Sequence, residues 1–176
     1  MKSRLTLPDP ARLDEAQRAV HDAIVATRGN LHGPFLAWLH SPGLAGPAAE
    51  LGAFCRYGTR LSLLESELMI LCVAAHCHCL GEQQIHEPIA LRAGVPEAVV
   101  QGLRQGEEVL SLLAETRQQT LVRLAQALLQ TQRIEPALYA EGLQLLGEPG
   151  LVELVGLLGY YTLVAMTLNA FEMSMT

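Results

Sequence analysis

The sequence predicts an all-α fold, a bundle of about six to eight helices. Three observations carry this. No alternating β-branched run bounded by turn pairs occurs anywhere in the 176 residues. Helix start and stop signals recur at intervals along the chain. Half of the residues are hydrophobic and only 5% are aromatic, so the core is built mainly of Leu, Ala and Val.

The first helix is expected over Leu13–Thr27, opened by Asp14 and Glu15 and stopped by Gly29-Asn30. Gly33-Pro34, Ser41-Pro42-Gly43 and Gly46-Pro47 predict a loop-rich connection around Phe35–His40. A helix follows over Ala48–Tyr57. Ser62 and Glu65 have the spacing of a capping box, and the apolar run Leu68–Ala75 continues that helix. His76-Cys77-His78-Cys79 is a run of poor helix formers and predicts a break. The next helix runs from about Cys79 to Arg92 and stops at Gly94. Pro96-Glu97 starts a short helix to Leu103. Longer helices are expected over Glu107–Arg133, Pro136–Leu146 and Leu151–Glu172. No repeat, low-complexity tract or long linker interrupts the chain, so residues 1–176 read as one domain.

Composition narrows function. The formal net charge is −6 with no basic run, which argues against a nucleic-acid or anionic-membrane partner. The N-terminal stretch has no apolar segment of the secretory type, so a cytoplasmic location is expected. Cys55, Cys72, Cys77 and Cys79 then read as thiols. Leu154–Phe171 holds 18 residues without a charge. Glu153 and Glu172 bound it, two glycines and three polar residues interrupt it, and no Lys or Arg flanks it. It reads as a buried core or interface helix rather than a membrane span. Met166, Met173 and Met175 read as core packing and tail, and Tyr160-Tyr161 as interface residues.

The chemistry concentrates on Glu67, Cys79, Glu82 and His86. The last three are spaced three and four residues apart and share one helical face. A thiol, an acid and a base on one face suit proton transfer or thiolate chemistry. An unperturbed imidazole has its pKa near working pH, so His86 is the natural proton carrier; the plainer alternative is a helix-stabilising Glu–His pair. Glu82 could orient the ring or act as a second acid–base group, or simply face water. Glu67 precedes Cys79 by twelve residues and reaches this face only if the chain turns at the His-Cys-His-Cys break. Cys79, near a helix N-terminus and close to His86, is expected to have a lowered pKa; a buried inert thiol is the alternative. Cys55 and Cys72 read as core. His76, Cys79 and His86 could in principle approach a metal ion, but their spacing fits no strong zinc pattern, and no metal or other cofactor is expected.

Three segments carry a family resemblance. They are the Glu65–Leu71 stretch ESELMIL with the Cys79–His86 face and the exit HEPIALRAGV, the C-terminal GYYTLVAMTLNAFEM, and GPFLAWLHSPGLA near the N-terminus. Together they resemble the carboxymuconolactone decarboxylase family, which includes the alkylhydroperoxidase-D-like (AhpD-like) proteins. The resemblance implies an all-helical AhpD-like bundle and a homo-oligomer, often a trimer or hexamer, with sites near subunit contacts. The redox branch carries Cys-x-x-Cys with a glutamate twelve residues before the first cysteine and a histidine four after the second. Glu67, Cys79 and His86 match three of these positions. Glu82 replaces the second cysteine, so the branch's disulfide cannot form. The decarboxylase branch carries Glu-x-x-x-His, matched by Glu82 and His86, and does not usually carry Cys79.

The leading expectation is cofactor-free acid–base chemistry, decarboxylation or isomerisation, on a small carboxylate or lactone. A thiol-dependent peroxidase using Cys79, resolved by Cys77 or an external thiol, is the second. A non-catalytic module binding a small ligand is the third.

Overall fold

The computed structural model describes residues 2–173 and is helical throughout, with no sheet among them. Met175 lies outside the described residues. Eight α-helices occur: α1 (Glu15–Arg28), α2 (Pro34–Trp38), α3 (Pro42–Tyr57), α4 (Leu63–His76), α5 (Leu80–Ala93), α6 (Glu97–Gln105), α7 (Thr116–Thr131) and α8 (Pro136–Ala170).

The central element is α4. Every residue from Glu65 to Ala74 is buried, as expected of a helix that is apolar on nearly all sides. α5, α7 and α8 pack around it and α6 closes one end. α1, α2 and α3 form a further layer over α8. The cap signals act as the sequence predicts. Asp14 and Ser62 each form a capping box, with Gln17 and Glu65 respectively. Gly29 and Gly94 end α1 and α5 in the left-handed conformation.

Some boundaries differ from expectation. The Gly-Pro connection contains α2, because Pro34 occupies the first turn of a helix, where its missing N–H costs nothing. Pro42 does the same for α3, which therefore starts six residues before the expected Ala48 and carries Pro47 inside. The helix expected over Glu107–Arg133 is only Thr116–Thr131. It is preceded by a 3-10 turn at Leu110–Leu112, in which Val109 and Leu113 turn inward as buried anchors. Val109 packs over Gly102, where a β-carbon would come within 2.8 Å of its methyl group. The two helices expected over Pro136–Leu146 and Leu151–Glu172 are both present as the two halves of α8, which meet at the non-helical Gly147 (φ 66°, ψ 173°), and the second ends at Ala170.

α8 is long and apolar enough to cross a membrane by length and composition, and 56% of its most apolar window is buried in this fold. Its inner face carries Leu154, Leu157, Leu158, Tyr161, Val164 and Leu168. Met166, expected in the core, is instead 63% exposed on the outer face beside Val152, Val155 and Leu163.

Arg117 binds three parts of the bundle. Its guanidinium pairs with Glu65 at the start of α4, and its Nη1 donates to the Leu145 carbonyl at 3.0 Å, just before the Gly147 kink. Burial alone would raise the Glu65 carboxyl, but hydrogen bonds from Arg117 and Ser62 and the Arg117 charge bring it below the ordinary carboxylate range. The stabilisation is therefore present above the unfolded pKa and disappears as pH falls through the folded one. Arg117→Met is expected to lower stability by about 1–3 kcal/mol, limited by the half-exposed guanidinium. In thermal melts the deficit should shrink in acid.

Candidate active site

The break at His76–Cys79 is a chain reversal. Cys77 ends α4, His78 adopts the left-handed conformation (φ 48°), and Cys79 caps α5. Asn169 of α8 donates from Nδ2 to the Cys77 carbonyl at 2.7 Å and secures the turn from outside. α5 thereby folds back along α4, and Glu67 meets the face of α5. The turn that the sequence allowed but could not require is present.

Glu67 Oε2 accepts from His86 Nδ1 at 2.7 Å, and the pair is buried. A carboxylate on Nδ1 requires the proton there, so Nε2 of the neutral ring is a free base. Glu82, one turn back on α5, places its Oε2 3.5 Å from that Nε2. Glu67, Glu82 and His86 are 0%, 3% and 3% exposed. Glu67 Oε1 and Glu82 Oε2 have no hydrogen-bond partner among the described residues. Buried carboxylate oxygens without partners are costly, and they mark a place where a proton or ligand belongs. Burial pushes the Glu82 carboxyl above the ordinary range, opposed by the charges of His86 and Arg56 and reinforced by that of Glu67.

Glu82 and His86 line a cavity of about 350 Å³ between α2, α3, α5, α8 and the end of α1, while Glu67 is not in its wall. The volume suits a small molecule. Tyr160 and Tyr161 also line it, and the Tyr161 ring packs edge-on against His86 with centroids 5.4 Å apart. The sequence placed these tyrosines at an interface. They lie inside because α8 packs on α5 with this face inward. Arg28 and Arg56 complete the wall and were not singled out by sequence. Nothing in their local spacing signals a site, since they sit on separate helices brought together only by packing.

Cys79 is buried and lies outside the cavity wall. The sequence predicts a lowered pKa for it. Burial instead pushes the thiol up to about 11, despite hydrogen bonds from the backbone of Glu82 and Gly81, and the nearby Glu82 charge adds to the rise. Cys77 is half-buried and also raised by burial. Cys55 and Cys72 are buried core thiols, as expected. Among the described residues no group of three His, Cys, Asp or Glu side chains is arranged to hold a metal ion.

No protein-family model matches this sequence, and no curated protein matches it significantly. The fold does match solved structures. An uncharacterized peroxidase-related protein from Silicibacter sp. TM1040 aligns with a TM-score of 0.79 at 15% identity, covering 98% of this chain and 91% of that one. An alkylhydroperoxidase AhpD core, an uncharacterized peroxidase-related protein from Ralstonia eutropha JMP134, aligns with a TM-score of 0.79 at 18% identity and the same coverages. At these identities the likeness is one of fold, and the chain has the all-helical AhpD-like architecture.

The raised Glu82 pKa has a testable consequence. The folded protein holds this proton more tightly than the unfolded chain, so the burial cost appears as pH rises through the window between the two pKa values. Glu82→Gln cannot ionise. Its melting temperature relative to the native chain should climb from acid to neutral pH; equal pH profiles for the two proteins would contradict a raised Glu82.

Proposed function

We propose that this chain is an enzyme performing acid–base chemistry without a cofactor, decarboxylation or isomerisation, on a small carboxylate or lactone. The carrying observation is the buried line Glu67–His86–Glu82, with its last two members opening on a cavity of small-molecule size. Glu67 holds the ring in the tautomer that leaves Nε2 free and would stabilise the imidazolium once it forms. In isomerisation, Nε2 takes a proton from carbon beside a carbonyl, and protonated Glu82 returns one at a second carbon on the same side. The electron pair shifts along the substrate, and the proton taken up by Nε2 then passes to Glu82, 3.5 Å away, which restores both groups. In decarboxylation, the carboxylate leaves as CO2, and the electron pair left on carbon takes a proton from Glu82. A carboxyl whose pKa is raised by burial is suited to either donation.

The same reading includes a homo-oligomer, a trimer or hexamer. The exposed apolar stripe Val152, Val155, Leu163 and Met166 on α8 supports it. Light scattering should give a mass of three or six chains, and Val155→Glu should reduce it. A cytoplasmic setting belongs to it too, and the four cysteines are free.

A specific observation favours a second reading, a thiol peroxidase. The matching folds are described as peroxidase-related and as an AhpD core, and Cys79 caps α5, the helix that carries Glu82 and His86. The raised thiol pKa and the missing partner cysteine weigh against it.

Paired variants separate the two. On a responsive carboxylate or lactone, His86→Gln should reduce turnover by about 100-fold or more, the usual size of an acid–base contribution, while Cys79→Ser retains it. Peroxide consumption with excess dithiothreitol that vanishes in Cys79→Ser would instead establish the thiol chemistry.

A further inference from the structure

Two arginines face the cavity that holds Glu82 and His86, and neither has a carboxylate partner among the described residues. Arg28 closes α1. Its Nη2 donates to the Ala49 carbonyl at 3.2 Å, and its guanidinium carbon stands 4.7 Å over the Phe35 ring centre. Arg56 comes from α3 and rests beside Tyr57, 5.6 Å from the ring centre. Both side chains are partly buried. Arg4, Arg60, Arg104, Arg117 and Arg123 pair with glutamates, whereas Arg28 and Arg56 stand in the wall of a cavity without one.

The tip of this corner is crowded. A β-carbon on Gly52 would stand 2.1 Å from Tyr160 Oη and 3.1 Å from Arg28 Nη2. The hydroxyl and the guanidinium therefore converge above that glycine. Burial raises the Tyr160 pKa, so the hydroxyl remains a donor at neutral pH. In the wall of the same cavity, buried Glu82 Oε2 is unpartnered. The cavity thus carries both kinds of group: guanidiniums from α1 and α3 and the proton-transfer pair on α5, with the Arg56 charge acting on Glu82.

We propose that Arg28, Arg56 and Tyr160 form an anion subsite that seats one carboxylate of the substrate, and that this carboxylate is an anchor retained through the reaction. The second half rests on the proton-transfer reading of the same cavity. A leaving carboxylate must surrender its negative charge to the carbon skeleton as CO2 departs. Guanidinium groups stabilise that charge before the transition state and so oppose its departure. The carboxylate they hold is therefore kept, and the reacting carbon is the one presented to His86 and Glu82. The substrate class is a small organic acid with an anchoring carboxylate at one end and an acidic C–H, or a second carboxylate, at the other.

Glutarate is a suitable probe, with glutaramide as its uncharged counterpart. Titration calorimetry at neutral pH should show glutarate binding to the native chain and glutaramide at least roughly tenfold weaker, the size of a charge-assisted contact. Arg56→Gln should weaken glutarate by a similar factor, with Arg56→Lys in between because it keeps the charge but loses the planar fork. Arg28 also supports Ala49 and Phe35, so Arg28→Lys is the variant to use there, with an unchanged circular dichroism melt as its control. Absence of glutarate binding at millimolar concentrations, equal binding of glutaramide, or full binding by a folded Arg56→Gln would overturn the subsite. Glutarate binding that needs Arg56, in a protein for which no His86-dependent turnover is found, would leave the subsite standing and remove the proton-transfer reading alone.

Discussion

The buried hydrogen bond between His86 and Glu67 is the contact on which the site depends. It joins α4 to α5 across a reversal of only three residues, Cys77 to Cys79. A buried carboxylate is tolerated in the middle of an otherwise apolar helix only if something meets it. His86 meets it, and that requirement fixes how α5 lies against α4. The orientation of α5 then decides that Glu82 faces the cavity and Cys79 does not. Packing and chemistry are thus set by one interaction rather than by two independent arrangements.

Much of this was legible in the sequence where signals are local. The helix start at Asp14, the capping box at Ser62, the stop at Gly94 and the break at His76–Cys79 are written in neighbouring residues, and the structure places each of them there. The Glu82–His86 spacing defines a helical face without any knowledge of the fold. Prolines were less transparent. Pro34 and Pro42 read as loop punctuation, yet each opens a helix, because a first-turn proline and a turn proline look alike until the following residues find packing partners.

The remaining parts of the site depend on tertiary packing. Arg28, Arg56 and Tyr161 come from α1, α3 and α8, and no pairwise spacing connects them. Met166 and Tyr160 show the same limit in opposite directions: an apolar helix has two faces, and composition alone does not say which turns inward. Cys79 is an electrostatic version of the problem. Its helix N-terminus favours thiolate, its burial opposes thiolate, and only the folded environment reveals that burial prevails.

Gly52 carries a consequence for how this protein can change. Its bare α-carbon is the space that Tyr160 Oη occupies, so the two positions are not free to vary independently. A side chain at 52 expels the hydroxyl; a smaller residue at 160 leaves a hole that a larger residue at 52 could fill. Descendants of this chain should therefore drift along that pair in step, either glycine with tyrosine or a bulkier residue with a smaller one. A lineage that crosses from one combination to the other has rebuilt one corner of its cavity, and its preferred ligand is expected to have moved with it.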